Sequence, residues 1–264
     1  MSDAFVSIRG LRKTFNRDRR EVVAIEHLDL TVDRGEFVSI VGPSGCGKST
    51  FLHILGGFEP CDAGVMRVAD IVVKGPGRDR GMLFQEFALY PWRSVIGNVA
   101  WPMEIAGVPR AKREALAEGF LKLVGLSAFR DAYPSELSGG MKQRVALARV
   151  LALEPGILLM DEPFGALDAQ TRELMQEELN TIWQADQKTV LFVTHDIDEA
   201  VFLSDRVIVF TARPGRIKLD LRIDLPRPRP IEIKKSAAFV EYRNVVWDAL
   251  REEVLAARAA EATR

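Results

Sequence analysis

The chain has 264 residues, with 36 Lys and Arg against 37 Asp and Glu and a net charge of −1, so its overall charge offers no attraction to nucleic acid. Hydrophobic residues make up 47% and charged residues 28%, which suits one large globular domain or two lobes sharing a core. No apolar run approaches the ~20 residues of a membrane-spanning helix, so any tie to a membrane is expected through a partner.

The opening "MSDAFVSIRG" lacks the charged-then-apolar layout of a secretory signal. The two cysteines, Cys46 and Cys61, fit a reducing cytosol. "AFVSIRG" and "VVAIEHLDLTV" alternate with the strand period, and "RKTFNRDRRE" between them reads as a polar loop, its "RDRR" run as solvated charge. "GEFVSIVG" is an apolar strand running into "GPSGCGKST" at 42–50. "KSTFLHIL" follows as a helix that stops at Gly56-Gly57. "GVMRVADIVV" predicts a hairpin, and "RGMLFQ" a buried strand that ends on Gln85.

From Glu86 to about Leu153 the period becomes helical, with Leu116, Phe120, Leu123 and Val124 expected on one face of a helix. Strands return as "GILLMDEP", "TVLFVTHD" and "DRVIVF", separated by helices, the pattern of a parallel sheet in an α/β fold. The proline-spaced "IDLPRPRPIEIKK" predicts a stiff linker before a last amphipathic helix, "AFVEYRNVVWDALREEVLAA". The expected division is an α/β core with a β subdomain over 1–86 and 154–225, a helical subdomain over 87–153, and a C-terminal linker and helix over 226–264.

"GPSGCGKST" matches G-x-x-x-x-G-K-[ST] between a predicted strand and a predicted helix. Backbone N–H groups of Gly42, Pro43, Ser44, Gly45, Cys46, Gly47, Lys48, Ser49 and Thr50, proline's missing donor aside, can converge on phosphate oxygens there, aided by the helix dipole. Lys48 is expected on the β- and γ-phosphates and Ser49 on Mg²⁺, which makes this a nucleoside-triphosphate site. Because Cys46 lies within the loop, its alkylation is expected to block ATP binding.

"ILLMDEP" ends an apolar strand on two carboxylates. Alone they would read as a turn or helix cap. Downstream of a phosphate loop, Asp161 fits the Mg²⁺-side acid and Glu162 a base that polarises an attacking water. His195 follows the strand "TVLFVTHD", at the sheet end where ligands converge, although a lone histidine is commonly structural. Gln85 can contact Mg²⁺ or water, or be a plain polar strand end.

A second helix start, "LSGGM" before "KQRVALARVLAL", places Ser138, Gly139 and Gly140 where a hydroxyl and backbone N–H groups can hold a phosphate, yet it lacks the lysine that usually completes such a site at the helix head. A simple Ser N-cap is the alternative. As an anion site it is half of one, completed if a second copy's phosphate loop faces it with ATP between the two.

These motifs, in this order, resemble the ATP-binding subunits of ABC transporters over most of the chain. The resemblance implies a P-loop NTPase core with an N-terminal antiparallel β subdomain and an inserted helical subdomain. It assigns Walker A to "GPSGCGKST", the Q-loop glutamine to Gln85, the signature to "LSGGM", Walker B to "ILLMDE", the D-loop to "ALD" with Asp168, and the switch histidine to His195. It places Phe15 of "RKTF" against adenine, where the family more often has tyrosine. It further implies a head-to-tail dimer with two ATP and Mg²⁺, two membrane permeases, a substrate-binding protein outside the membrane, and a peripheral position on the cytoplasmic face of the inner membrane. Within the family, "GPGRDRGMLFQEFALYPWRSVIGNV" and "IDLPRPRP" are similar to importers of nitrate, sulfonates and taurine. "FALYPW" is then either a groove for a permease helix or core of the helical lobe.

Among other readings, a soluble ABC ATPase of DNA repair would need long heptad coiled coils, and one of translation two cassettes. A P-loop kinase or GTPase would leave "LSGGMKQR" unexplained, and a nucleotide-dead scaffold would not keep both Lys48 and Glu162.

Overall fold

The computed structural model describes residues 4–17 and 20–262; residues 1–3 and the centre of the "RDRR" run lie outside them. In chain order the elements are β1 (Ala4–Arg17), β2 (Arg20–Asp33), β3 (Phe37–Val41), α1 (Lys48–Gly56), β4 (Ala63–Val68), β5 (Ile71–Val72), β6 (Arg80–Leu83), α2 (Val95–Ile105), α3 (Arg110–Leu123), α4 (Gly139–Leu151), β7 (Ile157–Asp161), α5 (Ala169–Asp186), β8 (Thr189–Val193), α6 (Ile197–Leu203), β9 (Arg206–Phe210), β10 (Ile217–Arg222) and α7 (Ala237–Ala262). They form two compact units, Met1–Gly77 with Gln187–Arg264, and Arg78–Asp186.

The first unit carries two sheets. In one, β3 runs parallel to both β8 and β9, and β10 closes the edge antiparallel to β9. Every residue of β3 and β8 is buried, as expected of strands covered on both faces. Phe51 of α1 packs edge-on against Phe210 of β9, with ring centroids 5.8 Å apart.

The other sheet is antiparallel, ordered β2-β1-β4-β5. Its β4–β5 turn holds Ala69 and Asp70 at φ 48° and 62°, the geometry that suits a two-residue hairpin loop. The predicted polar loop is largely strand: Phe15 pairs with Val22 and Asn16 with Glu21, so cross-strand pairing overrides the polar composition. A register shift between Ile8 and Leu11 moves the buried set of β1 from Val6 and Ile8 to Leu11 and Lys13.

The proline-spaced connection is bolted down rather than a free spacer. Arg229, 3% exposed, donates to the carbonyls of Val201, Phe202, Ser204, Ile223 and Leu225 at 2.8–3.3 Å. Arg227 bonds Asp205 Oδ1 and the Leu203 carbonyl.

In the second unit β6 and β7 pair in parallel, Arg80 beside Ile157 and Leu83 beside Met160. Helices α2, α3 and α4 pack together. The buried stripe of α3 is Ala117, Leu121 and then Val124 just beyond it, whereas Leu116 and Leu123 are 39% and 48% exposed. The stripe keeps helical spacing but lies one position away from the expected face, because small Ala117 permits the closer approach and long neighbours can lie outward.

Candidate functional site

At the C-terminal end of β3 the chain turns through residues 42–47 into α1. Gly47 sits at the head of α1 with φ 106° and no side-chain cap, a conformation that favours glycine. A methyl there would also lie 2.9 Å from the Ala24 carbonyl oxygen. The helix's first N–H groups are thus left to the loop. Ser44, Gly45 and Ser49 face outward while Cys46 and Lys48 are buried. Lys48 Nζ donates to the Gly42 and Pro43 carbonyls at 2.8 and 3.2 Å, which holds the ammonium inside the loop's curve.

Cys46 is not the accessible alkylation target expected from its place in the loop. Cys46 is 1% exposed, and burial pushes its thiol pKa up, against the opposing pull of Lys48; its place in the loop is a backbone one.

A brace with no local signal in the sequence grips this loop. Arg213 donates through Nε and Nη2 to the Gly45 carbonyl at 3.2 and 3.0 Å. Gly215 N–H bonds the Ala24 carbonyl at 2.9 Å and its own carbonyl accepts from Glu26 N–H at 3.1 Å. "ARPG" looks like an ordinary turn in sequence; only the fold brings it beside residue 45.

His195 lies exposed just past β8. Its neighbours are framed by Thr194 Oγ1 donating to Glu199 Oε2 at 2.6 Å and Asp196 Oδ1 accepting from Glu199 N–H at 3.1 Å. An open groove beside it is lined by Asp198 and by Arg243 and Trp247 of α7. Phe15, half-buried on β1, has the Lys13 ammonium 5.0 Å from its ring centroid.

The other expected residues belong to the second unit. Asp161 is the last residue of β7 and 7% exposed. Glu162 follows with φ 45°, a left-handed conformation that costs a non-glycine residue about 1–3 kcal/mol and that surrounding structure must impose. Gln85 does not end a strand: β6 stops at Leu83 and Gln85 sits in the bend beyond. Gln85 and Glu162 are nevertheless neighbours, since a methyl built on Gly165 would lie 3.8 Å from Glu162 Oε2 and 3.9 Å from Gln85 Nε2.

Ser138 caps α4, its Oγ accepting from Met141 N–H at 3.4 Å. The hydroxyl keeps its own proton as a donor, so the capping reading and the anion reading are compatible. Gly139 and Gly140 form the first turn, and a methyl on Gly140 would come 2.6 Å from Thr171 Cγ2. Thr171 in turn donates to Asp168 through N–H at 3.0 Å and Oγ1 at 2.7 Å. Those two hydrogen bonds hold the Asp168 carboxyl below the usual carboxylate range.

Around "FALYPW" the amide of Asn98, fully buried, receives from Tyr90 N–H at 2.8 Å and donates to the Tyr90, Arg93 and Ser94 carbonyls at 3.0–3.2 Å. Phe87, Leu89 and Tyr90 are half-buried and Trp92 is 72% exposed. Arg149 of α4 donates to the Ala88 and Phe87 carbonyls at 2.6 and 3.1 Å, with burial lowering its pKa. Neither Asn98 nor Arg149 carried a local signal in the sequence.

Among the described residues no group of three or more His, Cys, Asp or Glu could hold a metal ion, and no helix is long and apolar enough to cross a membrane. The exposed Ser49 hydroxyl and the Asp161 carboxylate are hard oxygen donors of the kind Mg²⁺ takes when most of its shell comes from phosphates and water.

Comparison with known proteins places this arrangement. The ABC transporter family matches residues 25–165. The chain is 45% identical to the nitrate import ATP-binding protein NrtD of Synechocystis over 93% of its own length and 95% of that protein's. It is 48% identical to the taurine import ATP-binding protein TauB of Rhizobium johnstonii over 86% and 88%. Among solved structures, the dimeric post-hydrolysis state of the ATP-binding cassette MJ0796 bound to ADP and Pi superposes with a TM-score of 0.73 at 33% identity, covering 84% of this chain and all of that one.

Proposed function

The chain belongs to the ABC transporter ATP-binding family, a transporter ATPase, and from that premise we propose that it powers uptake of a small anion or sulfonate such as nitrate, taurine or an alkanesulfonate. The observation that carries the mechanism is the contrast between a helix headed by a lysine inside its own phosphate loop and a second helix start, Ser138-Gly139-Gly140, that lacks a lysine at its head. The second is serviceable only against a nucleotide that another chain holds, which supports a head-to-tail pair of ATPase subunits with ATP at each junction.

In this reading the loop 42–50 holds the triphosphate, with Lys48 on the β- and γ-phosphates. Ser49, Asp161 and Gln85 would hold Mg²⁺, which supplies charge neutralisation on those phosphates when bound. Glu162 accepts the proton of the attacking water; its left-handed backbone fixes where that carboxylate starts from. His195 holds the γ-phosphate and water geometry, and Phe15 stacks on adenine. Ser138, Gly139 and Gly140 cap the γ-phosphate of the opposing subunit, and Asp168 reports between the two sites through Thr171.

Such a subunit would sit on the cytoplasmic face of the inner membrane, held by two permeases whose coupling segments meet the Phe87–Trp92 surface, with a substrate-binding protein outside. The soluble-ATPase alternative has no observation in its favour. Co-purification of the tagged protein from its host's membranes, followed by mass spectrometry, tests the reading: a multi-spanning permease in stoichiometric amount is expected. Recovery as a soluble protein on ribosomes or DNA would overturn it.

A further inference from the structure

Lys13 has no place in the chemistry above, yet it is a lysine 5% exposed, and burying an ammonium is unfavourable unless it is paired. Its Nζ is 2.6 Å from Glu59 Oε1, 2.8 Å from the Pro60 carbonyl and 3.7 Å from Asp62 Oδ1. The same ammonium lies over the Phe15 ring at 5.0 Å from its centroid.

Both sides of this cluster lead back to the phosphate loop. Glu59 and Phe58 bond through their N–H groups to the His53 carbonyl in the last turn of α1, the helix whose first turn opens at Gly47. Asp62 ties down the strand on either side of Lys13, donating its N–H to the Arg12 carbonyl at 3.0 Å and accepting Thr14 N–H at 2.6 Å. Across the sheet Lys13 pairs with Ile25 and Phe15 with Val22. Ala24 and Ile25 are the residues that a methyl on Gly47 would strike. The ring of Phe15 is therefore held from the end of α1 and, through β2, from its start.

We infer that Lys13 is a positioning residue for the nucleobase: it fixes the Phe15 ring in register with the phosphate loop and occupies one face, committing the other to stacking. This rests on the reading of Phe15 as the adenine platform. A cation over a ring shifts an equilibrium about fivefold at a partly buried site, here the one that holds the Phe15 ring ready to stack, so the effect sought on apparent affinity is moderate and specific to the base.

The experiment compares Lys13→Met, Lys13→Arg and Phe15→Ala in the full chain. It measures KM and kcat for ATP hydrolysis and competitive inhibition by inorganic tripolyphosphate, which has phosphates but no base. Lys13→Met is expected to raise KM for ATP about fivefold with kcat and tripolyphosphate inhibition unchanged, and Lys13→Arg to restore KM. An unchanged KM in Lys13→Met with a raised KM in Phe15→Ala would overturn the inference while leaving the platform intact. Equal weakening of ATP and tripolyphosphate would reduce Lys13 to a general scaffold role and overturn it as well. An unchanged KM in Phe15→Ala would remove the platform itself, and the inference with it.

Discussion

The starts of α1 and α4 are two solutions to one problem, the unpaired N–H groups at a helix head. At α1 the head is glycine, no side chain covers it, and a lysine is curled into the loop. At α4 a serine covers its own helix, the first turn packs its second glycine against Thr171, and the first lysine, Lys142, comes three residues after the helix's first. The first arrangement leaves donors for a ligand and brings the compensating charge with it. The second is already stable as a cap and has spare donor capacity only. In the proposed function the first binds nucleotide alone and the second completes a site held by another chain.

The largest way to sharpen that contrast is Glu162→Gln, which should lower kcat for ATP about 10²–10⁴-fold while ATP binding survives, so that nucleotide-driven pairing can be watched by size-exclusion chromatography with and without ATP. A variant that still turns over normally would take Glu162 out of the base role. Lys48→Ala should weaken ATP binding about 10- to 100-fold, as loss of a charge-assisted hydrogen bond does, measured by titration calorimetry; an unchanged affinity would erase the difference between the two helix heads.

The two thiols test the loop's orientation. Cys61, half-exposed, should react with iodoacetamide about tenfold faster or more than Cys46, whose buried thiol is held protonated, as read by peptide mass spectrometry. Preferential labelling of Cys46 would mean the loop turns inside out in solution. The smallest effect separates capping from anion binding at α4. Ser138→Ala should lose about 1 kcal/mol of stability and Ser138→Gly only a few tenths. Both should weaken ATP-driven pairing of the Glu162→Gln protein alike, because both lack the hydroxyl. Pairing that follows thermal stability instead would leave Ser138 a cap and nothing more.

Elements whose signals are local were legible in the sequence. β3, β7, β8 and β9 are short, mostly apolar runs, and α1 carries both its start and its Gly57 stop within a few residues. What escaped was set by pairing across long separations. The strand through "RKTFN" exists because residues 20–25 lie beside it. Arg229 reads as a charge in a proline-rich spacer until five carbonyls converge on it. Arg213 and Gly215 look like an ordinary turn until folded against residues 24–26 and 45. The inward turn of Cys46 and the face of α3 are not legible for a related reason: composition states that a residue is apolar or small, and the packing partner decides which way it points.

The bulge between Ile8 and Leu11 gives β1 something like a reading frame for side chains. Before it the inward positions are Val6 and Ile8, after it Leu11 and Lys13. Straightening that bulge with its extra residue still in the chain would shift the phase of everything downstream, turning Arg12 and Thr14 to the side where Leu11 and Lys13 now point. A one-residue deletion at a position with open space around it, Gly10, takes out the extra residue itself, so β1 would return to plain alternation with Leu11 and Lys13 still inward.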